Sequence, residues 1–309
     1  MLKNKLKGIL NNYLDNSVER QLMLQGQILA DRYINKSEIY NLSEVEFSVF
    51  SQWGEDGIIN WLIHKIIDIP EIFIEFGVSD YRESNTRFLL KYNNWKGLVV
   101  DGSHENIDRV KRQDIYWKHE LTAVSSFVTR ENINQLFIDN NFTGDIGLLS
   151  IDIDGNDYWI WQAIECVSPV IVVCEYNAVF GDLNKISVPY NASFERTRAH
   201  HSNLYFGASL PALTALAKEK GYELVGTTST GVNAFYVRED KVLDIKNKLD
   251  NVIAFPSRFR ESRDKNNILS FVSGHDRLRL IQHLPVYDFD LSSEVLLKDY
   301  SNHYSTSFA

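Results

Sequence analysis

Four apolar runs limit what this chain can fold into, because each is short for a buried helix and each ends in polar or turn-forming residues. They are Ile72-Phe73-Ile74-Glu75-Phe76-Gly77-Val78-Ser79-Asp80, Trp95-Lys96-Gly97-Leu98-Val99-Val100-Asp101-Gly102, Leu148-Leu149-Ser150-Ile151-Asp152-Ile153-Asp154-Gly155-Asn156-Asp157 and Pro169-Val170-Ile171-Val172-Val173-Cys174-Glu175-Tyr176-Asn177. Their β-branched content and length predict strands buried on both faces. Helix-sized intervals separate them, which predicts parallel βαβ units with right-handed crossovers. Open sheets of that kind take ligands at the carboxyl ends of their strands, so the residues ending the runs are the first functional candidates.

The intervals fit this reading. A helix is predicted from Ser51 as N-cap, with Glu55 and Asp56 in its first turn, a buried stripe at Ile58, Ile59, Leu62, Ile63, Ile66 and Ile67, and Pro70 as its stop. Further helices are expected over 85–92, 107–111, 130–140 and from Tyr158, with a weaker strand at 120–124. Residues 178–206 form a long connection, a feature that in a compact domain usually carries function. A helix over 210–220 closed by Gly221 and a hairpin of 222–227 with 233–238 complete the pattern. The expected division is a helical extension at 1–46, an α/β domain at 47–240 and a tail at 241–309 packed on it, with helix within 264–280 and a strand or arm at 286–291. In the extension, Leu2, Leu6, Ile9, Leu10, Tyr13 and Leu14 fall at helical spacing. Ser17 is the expected cap of a second helix carrying Val18, Leu22, Ile28 and Leu29. These helices would pack on the core, lid the site or join two copies into a homo-oligomer.

Composition removes several classes. At 309 residues, 44% hydrophobic and 12% aromatic, the chain is expected to fold and not to remain disordered. No apolar run is long enough for a membrane span, and residues 1–14, with Lys3, Lys5 and Lys7, lack a signal-peptide core. Cys166 and Cys174 in apolar surroundings read as reduced thiols of a cytoplasmic protein. A formal net charge of −9 counts against nucleic-acid binding. The basic segment 258–263 reads as a solvated face, with contact to an anion as the alternative.

Three positions carry chemical weight. Carboxylates beside a buried strand are costly unless they bind something; a turn explains residues 155–157 but not Asp152 inside its run. Glu75, Gly77 and Ser79 form a glycine turn that lets a ligand approach backbone. Tyr81 and Arg82 stand where a dinucleotide fingerprint needs small residues, which argues against NAD. Asp101, ending a strand 26 positions after Glu75, suits a ribose, although an acid at a strand end is also an ordinary cap.

Several motifs in order resemble one family. Ser51-Gln52-Trp53-Gly54-Glu55-Asp56, Glu75-Phe76-Gly77, Ser84-Asn85-Thr86, Trp95-x-Gly97, residues 150–157, Glu175-Tyr176-Asn177, Phe206-Gly207-Ala208-Ser209-Leu210 and Asn233-Ala234-Phe235 resemble the FkbM-type S-adenosylmethionine-dependent methyltransferases. The likeness spans roughly 48–240. It implies a Rossmann-like class I sheet of seven mostly parallel strands with a terminal antiparallel hairpin. It also implies S-adenosylmethionine lying along Gln52, Asp56, Glu75, Gly77, Ser79, Asn85, Thr86, Asp101, Gly102, Ser103 and Asp152. Two departures stand out: Ser79 replaces a usual glycine, and Val124-Ser125-Ser126 offers no acid to the adenine amine. The resemblance further implies a hydroxyl acceptor, by analogy a sugar or glycan. Asp152, Asp154, Glu175 and Asn177 are then either ligands of Mg²⁺ or Mn²⁺ or direct contacts to donor and acceptor. Asp154, His200 or His201 would serve as the base, the histidines otherwise being solvent-facing loop residues. Phe180, Tyr190, Phe194 and Tyr205 either face a sugar ring or pack the loop down.

Other classes remain. Asp152-x-Asp154 also fits the metal motif of nucleotide-sugar glycosyltransferases, a reading that leaves Glu75-x-Gly77 and Asp101 without a role. The phosphatase motif Asp-x-Asp-Gly belongs on a first strand, whereas here three strands precede it. A catalytically dead binding module on the same fold would bind the donor without turnover.

Overall fold

The computed structural model of the chain describes residues 2–306 and 308, and side chains from residue 17 on. The expected face at Leu2, Leu6, Ile9, Leu10, Tyr13 and Leu14 therefore lies outside the described side chains. In chain order the elements begin with α1 (Leu2–Ile34), α2 (Glu55–Lys65), β1 (Ile72–Phe76), β2 (Lys96–Asp101), α3 (His104–Lys111), α4 (Asp114–Lys118) and β3 (Leu121–Ser125). They continue with α5 (Ile133–Asp139), β4 (Gly144–Ile151), α6 (Asp157–Ala163), β5 (Val167–Glu175), β6 (Ile186–Ser187), α7 (Arg196–Ala199) and α8 (Leu210–Glu219). Last come β7 (Tyr222–Thr227), β8 (Asn233–Arg238), α9 (Leu243–Lys246), α10 (His275–Ile281), β9 (Pro285–Asp288) and β10 (Ser293–Leu296).

Seven strands form the main sheet in the order β3-β2-β1-β4-β5-β8-β7. β1 pairs in parallel with β2 and β4, and β8 alone runs against its neighbours β5 and β7. This is the Rossmann-like, mostly parallel layout that the resemblance implies. The apolar runs become central strands because both faces are covered. Ile74, Leu98, Leu149 and Val172 enter one buried cluster, while Phe73, Val99, Leu148, Ile171 and Val173 enter the other. Burying such side chains on both faces gives roughly 1.5–3 kcal/mol each, and that holds the strand ends in place. The chain leaves β1 for β2 and β3 on one side and returns to β4 on the other, so the sheet's switch point lies between β1 and β4.

A second sheet, β10-β9-β6, was not expected from the sequence. It joins the long connection to the tail, and Phe180, Ile186, Val188 and Leu204 pack there with Ile281, Val286 and Leu297.

Five local expectations are corrected. α1 continues through Ser17, because a serine with no breaker beside it does not end a helix. α2 starts after Gly54, whose φ of +115° shapes the entry. Ser51 instead accepts from the Asp56 amide at 3.0 Å. Ile67 is 63% exposed and lies outside the buried stripe. In the tail only His275–Ile281 is helical within the expected span, and the π-helical turn Leu89–Asn93 replaces an ordinary helix after β1.

Candidate active site

The carboxyl ends of β1, β2, β4 and β5 open into one cavity of about 660 Å³, lined among others by Gln52, Glu75, Gly77, Ser79, Asp101, Gly102, Asp152, Asp154, Glu175 and Asn177. That volume is within the usual range for a ligand site. Gly77 sits at φ +72°, and a Cβ there would meet the backbone oxygen of Asp152 at 1.6 Å. The tips of β1 and β4 are thus in backbone contact at the switch point, an approach that only glycine permits. Ser79 follows at φ +48°, a left-handed position for a residue that the resemblance expects to be glycine.

The Asp101 carboxylate ties both neighbouring loops together. Ser79 N donates to it at 2.8 Å, Ser103 N at 2.8 Å and Asn106 Nδ2 at 3.1 Å. A carboxylate offers about four acceptor positions, so about one is left for a ligand hydroxyl. Glu75 is more fully occupied, accepting from the amides of Asn85 at 2.8 Å and Thr86 at 3.1 Å, and from the Thr86 hydroxyl. Burial raises its pKa to about 7 against those hydrogen bonds.

The other half of the site is acidic. One ligand oxygen each from Asp152, Asp154 and Glu175 can be drawn from positions that all lie within 4.8 Å of one another. Burial, then the charges of Asp154 and Asp157, push the Asp152 carboxyl well above its usual range. Burial, then Asp152 and Asp154, do the same to Glu175, whose Oε2 is buried without a hydrogen-bond partner among the described residues. Asp157 belongs to the turn itself: its oxygens accept from Ile153 N and Gly155 N, both at 2.9 Å. Arg196 crosses this group, with Nη1 2.5 Å from Asp154, Nη2 3.8 Å from Glu261 and its guanidinium 3.9 Å above the Phe206 ring. Burial opposes that charge, but Glu175 and Asp154 outweigh it and raise the arginine's pKa.

Several sequence candidates stand elsewhere. Asp56 is 1% exposed and does not line the cavity; its Oδ2 accepts from the amides of Val49, Phe50 and Ser51 and pins the loop before α2. Thr86 is buried behind Glu75, and Ser103 caps α3 through Asn106 N. Asn177 lines the cavity, but its amide donates to Leu204 O and Phe206 O and its oxygen accepts from Val179 N, so it is spent on the loop. His200 and His201 lie outside the cavity lining, their ring centroids 4.1 Å apart and tilted by 44°, with His200 Nδ1 at 2.7 Å from the Ser202 hydroxyl. Burial, then His201 and His283, lower the His200 pKa to about 4. Of the four loop aromatics, Phe194 reaches the cavity and covers Gly155; Phe180, Tyr190 and Tyr205 pack elsewhere. Replacing His200 and His201 together with glutamine is therefore expected to leave any turnover within about twofold, read as initial rate; a loss of 10²-fold or more, the scale of a missing base, would return a histidine to the chemistry.

Sequence reading missed Arg196, Glu261, Phe259 and Arg277, all of which line the cavity. Arg196 stands on the short α7, Arg277 on α10, and Phe259 and Glu261 on an irregular strap; the basic stretch 258–263 was the single signal. Trp53 meets Phe259 edge to face at 5.4 Å, so this strap closes over the start of α2.

The sequence matches no protein-family model and no curated protein. Among solved structures the chain is similar to the N-terminal domain of EvdMO1 with S-adenosylhomocysteine (SAH) bound, at 10% identity and TM-score 0.41, covering 71% of this chain and 94% of that one. It is also similar to an O-methyltransferase from Bacillus cereus in complex with SAH, at 11% identity and TM-score 0.39, covering 70% and 89%. An S-adenosylmethionine-dependent methyltransferase from Clostridium acetobutylicum matches at 9% identity and TM-score 0.36, covering 60% and 90%. Similarity at that level fixes neither reaction nor acceptor. Among the described residues no helix is long and apolar enough to cross a membrane.

Proposed function

We propose that the chain is a methyltransferase that moves the methyl group of S-adenosylmethionine to a hydroxyl of a sugar or sugar-derived acceptor. The observation that carries this reading is the single cavity running from the Gly77 and Asp101 tips to the unpartnered Glu175 carboxylate. The donor's ribose would meet the free acceptor position of Asp101, and its sulfonium would lie over Gly77, where no side chain intervenes. The glycosyltransferase alternative leaves that half of the cavity unused.

Methyl transfer is an in-line displacement, so alignment supplies much of the rate. The acceptor oxygen forms a bond to the methyl carbon while the carbon–sulfur bond breaks, and its electron pair stays on sulfur as the thioether of SAH. The hydroxyl proton passes to the ionised form of Glu175; burial and the charges of Asp152 and Asp154 raise its pKa, so that form, and transfer with it, increases as pH rises. Arg196 holds Asp154 and offsets part of the local negative charge. The oxygen donors of Asp152, Asp154 and Glu175 also fit a hard divalent cation. Mg²⁺ or Mn²⁺ bound by those three would lower the acceptor hydroxyl's pKa.

The test separates the two halves. Asp101→Ala is expected to weaken SAH binding by about tenfold or more, the loss of a charged hydrogen bond and of the loop tie. Asp154→Ala is expected to bind SAH as the wild type does and to lose transfer to a panel of sugars. Unchanged SAH affinity in Asp101→Ala would remove the β2 tip from the donor site.

A further inference from the structure

Arg277 is 8% exposed and lines the cavity. Its guanidinium donates to the carbonyls of Phe259 at 2.9 Å and Ser257 at 3.1 Å, with Nε 3.5 Å from Gly274 O. No carboxylate lies within ion-pair distance among the described residues, and Arg260 presses on the same charge with like sign. Arg258 and Arg260 are exposed on the same strap. Buried charges are normally paired, so an uncompensated guanidinium facing a ligand cavity in a chain of net charge −9 calls for an anion that arrives with the ligand. Two of its five N–H donors remain for it, and a planar fork suits an oxyanion.

The position favours the acceptor over the donor. The strap rests on the β7–β8 turn, with Arg258 N donating to Thr230 O at 2.8 Å and Pro256 against Gly231. That edge of the sheet lies beyond β5, opposite β2 and its Asp101. On the strap, Glu261 reaches Arg196 and through it Asp154. We propose that the acceptor carries a phosphoryl group, as in a sugar phosphate or a nucleotide sugar, and that Arg277, the arginine of this segment that lines the cavity, receives that group. The proposal rests on the methyl-transfer reading for the identity of the other ligand.

Calorimetry with inorganic pyrophosphate, run on the protein alone and on protein saturated with SAH, tests it without needing the sugar's identity. Wild type is expected to bind pyrophosphate, Arg277→Gln about tenfold or more weakly, and Arg277→Lys in between, with SAH affinity unchanged in all three. Arg260 is exposed and outside the cavity lining, so Arg260→Gln should bind pyrophosphate as wild type does and controls for loss of surface charge, while Arg277→Lys keeps the test alive should Arg277→Gln not fold. Absence of pyrophosphate binding in wild type, or equal binding in both glutamine variants, overturns the proposal. So does a loss of SAH affinity in Arg277→Gln with pyrophosphate unaffected, since the guanidinium would then hold the donor's carboxylate. If SAH gives no heat with wild type, the methyl-transfer reading falls, while the measurements without SAH still decide the role of Arg277.

Discussion

Gly77→Ala is expected to cost roughly 3 kcal/mol of stability and to reduce SAH affinity more than tenfold. The cost has two parts. An alanine at φ +72° bears the left-handed penalty of about 1–2 kcal/mol, and its Cβ must push away the Asp152 carbonyl, 1.6 Å from where it would sit. That carbonyl is backbone, so relief requires the tips of β1 and β4 to part, which spoils the floor of the cavity as well as the packing. Gly221→Ala separates the two parts. Gly221 has φ +80° with nothing within 4 Å of the methyl an alanine would add, so it should show the backbone penalty alone, about 1 kcal/mol, with SAH binding intact. Denaturant titration of both variants reads the difference, and equal costs would mean that the two tips are not in contact.

Glu175→Gln is expected to make the protein more stable at pH 8, by about 1 kcal/mol, while transfer falls by at least about 10²-fold. The amide keeps the shape and stays neutral at every pH, so the ionisation that Asp152 and Asp154 oppose never arises. The pH dependence fixes the sign. The folded pKa of Glu175 lies well above its ordinary 4.5, so the folded state keeps a proton that the unfolded chain releases. Stability from this group is therefore complete below about 4.5 and is lost as pH rises toward the folded value. The advantage of Glu175→Gln should accordingly vanish at pH 4 and grow with pH. Asp157, raised to about 6, and Glu75, raised to about 7, follow the same direction, and because Asp152 and Asp157 feel the charge of Glu175 the difference reads Glu175 together with its effect on them. A variant less stable than wild type at pH 8 would show that the carboxylate is held by interactions the fold does not reveal.

The main sheet was legible because its strands announce themselves twice, in an unbroken apolar run and in the glycine or acid that ends it. Gly77, Asp101 and Asp152 could be found for that reason: in a parallel sheet, the end of a run is a place in space. Asp56, Thr86 and Ser103 looked equivalent in the motifs, but nothing in a motif tells whether a side chain faces a ligand or a backbone amide. Asn177 shows the limit most clearly, since it stands at the cavity wall with its amide spent on the 204–206 loop. His200 and His201 were drawn toward catalysis by residue type, whereas a loop's path decides where its side chains point. Arg196, Glu261 and Arg277 could not be assigned to the cavity from sequence, because they stand on a one-turn helix, an irregular strap and a short helix of the tail, whose place against the main sheet is set by contacts far apart in the chain.

The central claim is that the β1 and β2 tips hold the adenosyl donor, and isothermal titration of the intact protein with SAH tests it most directly. Saturable heat with one site per chain, strongly reduced in Asp101→Ala, is the predicted result. No heat from protein whose fold is verified in the same sample, or heat only with a nucleotide sugar, would contradict it.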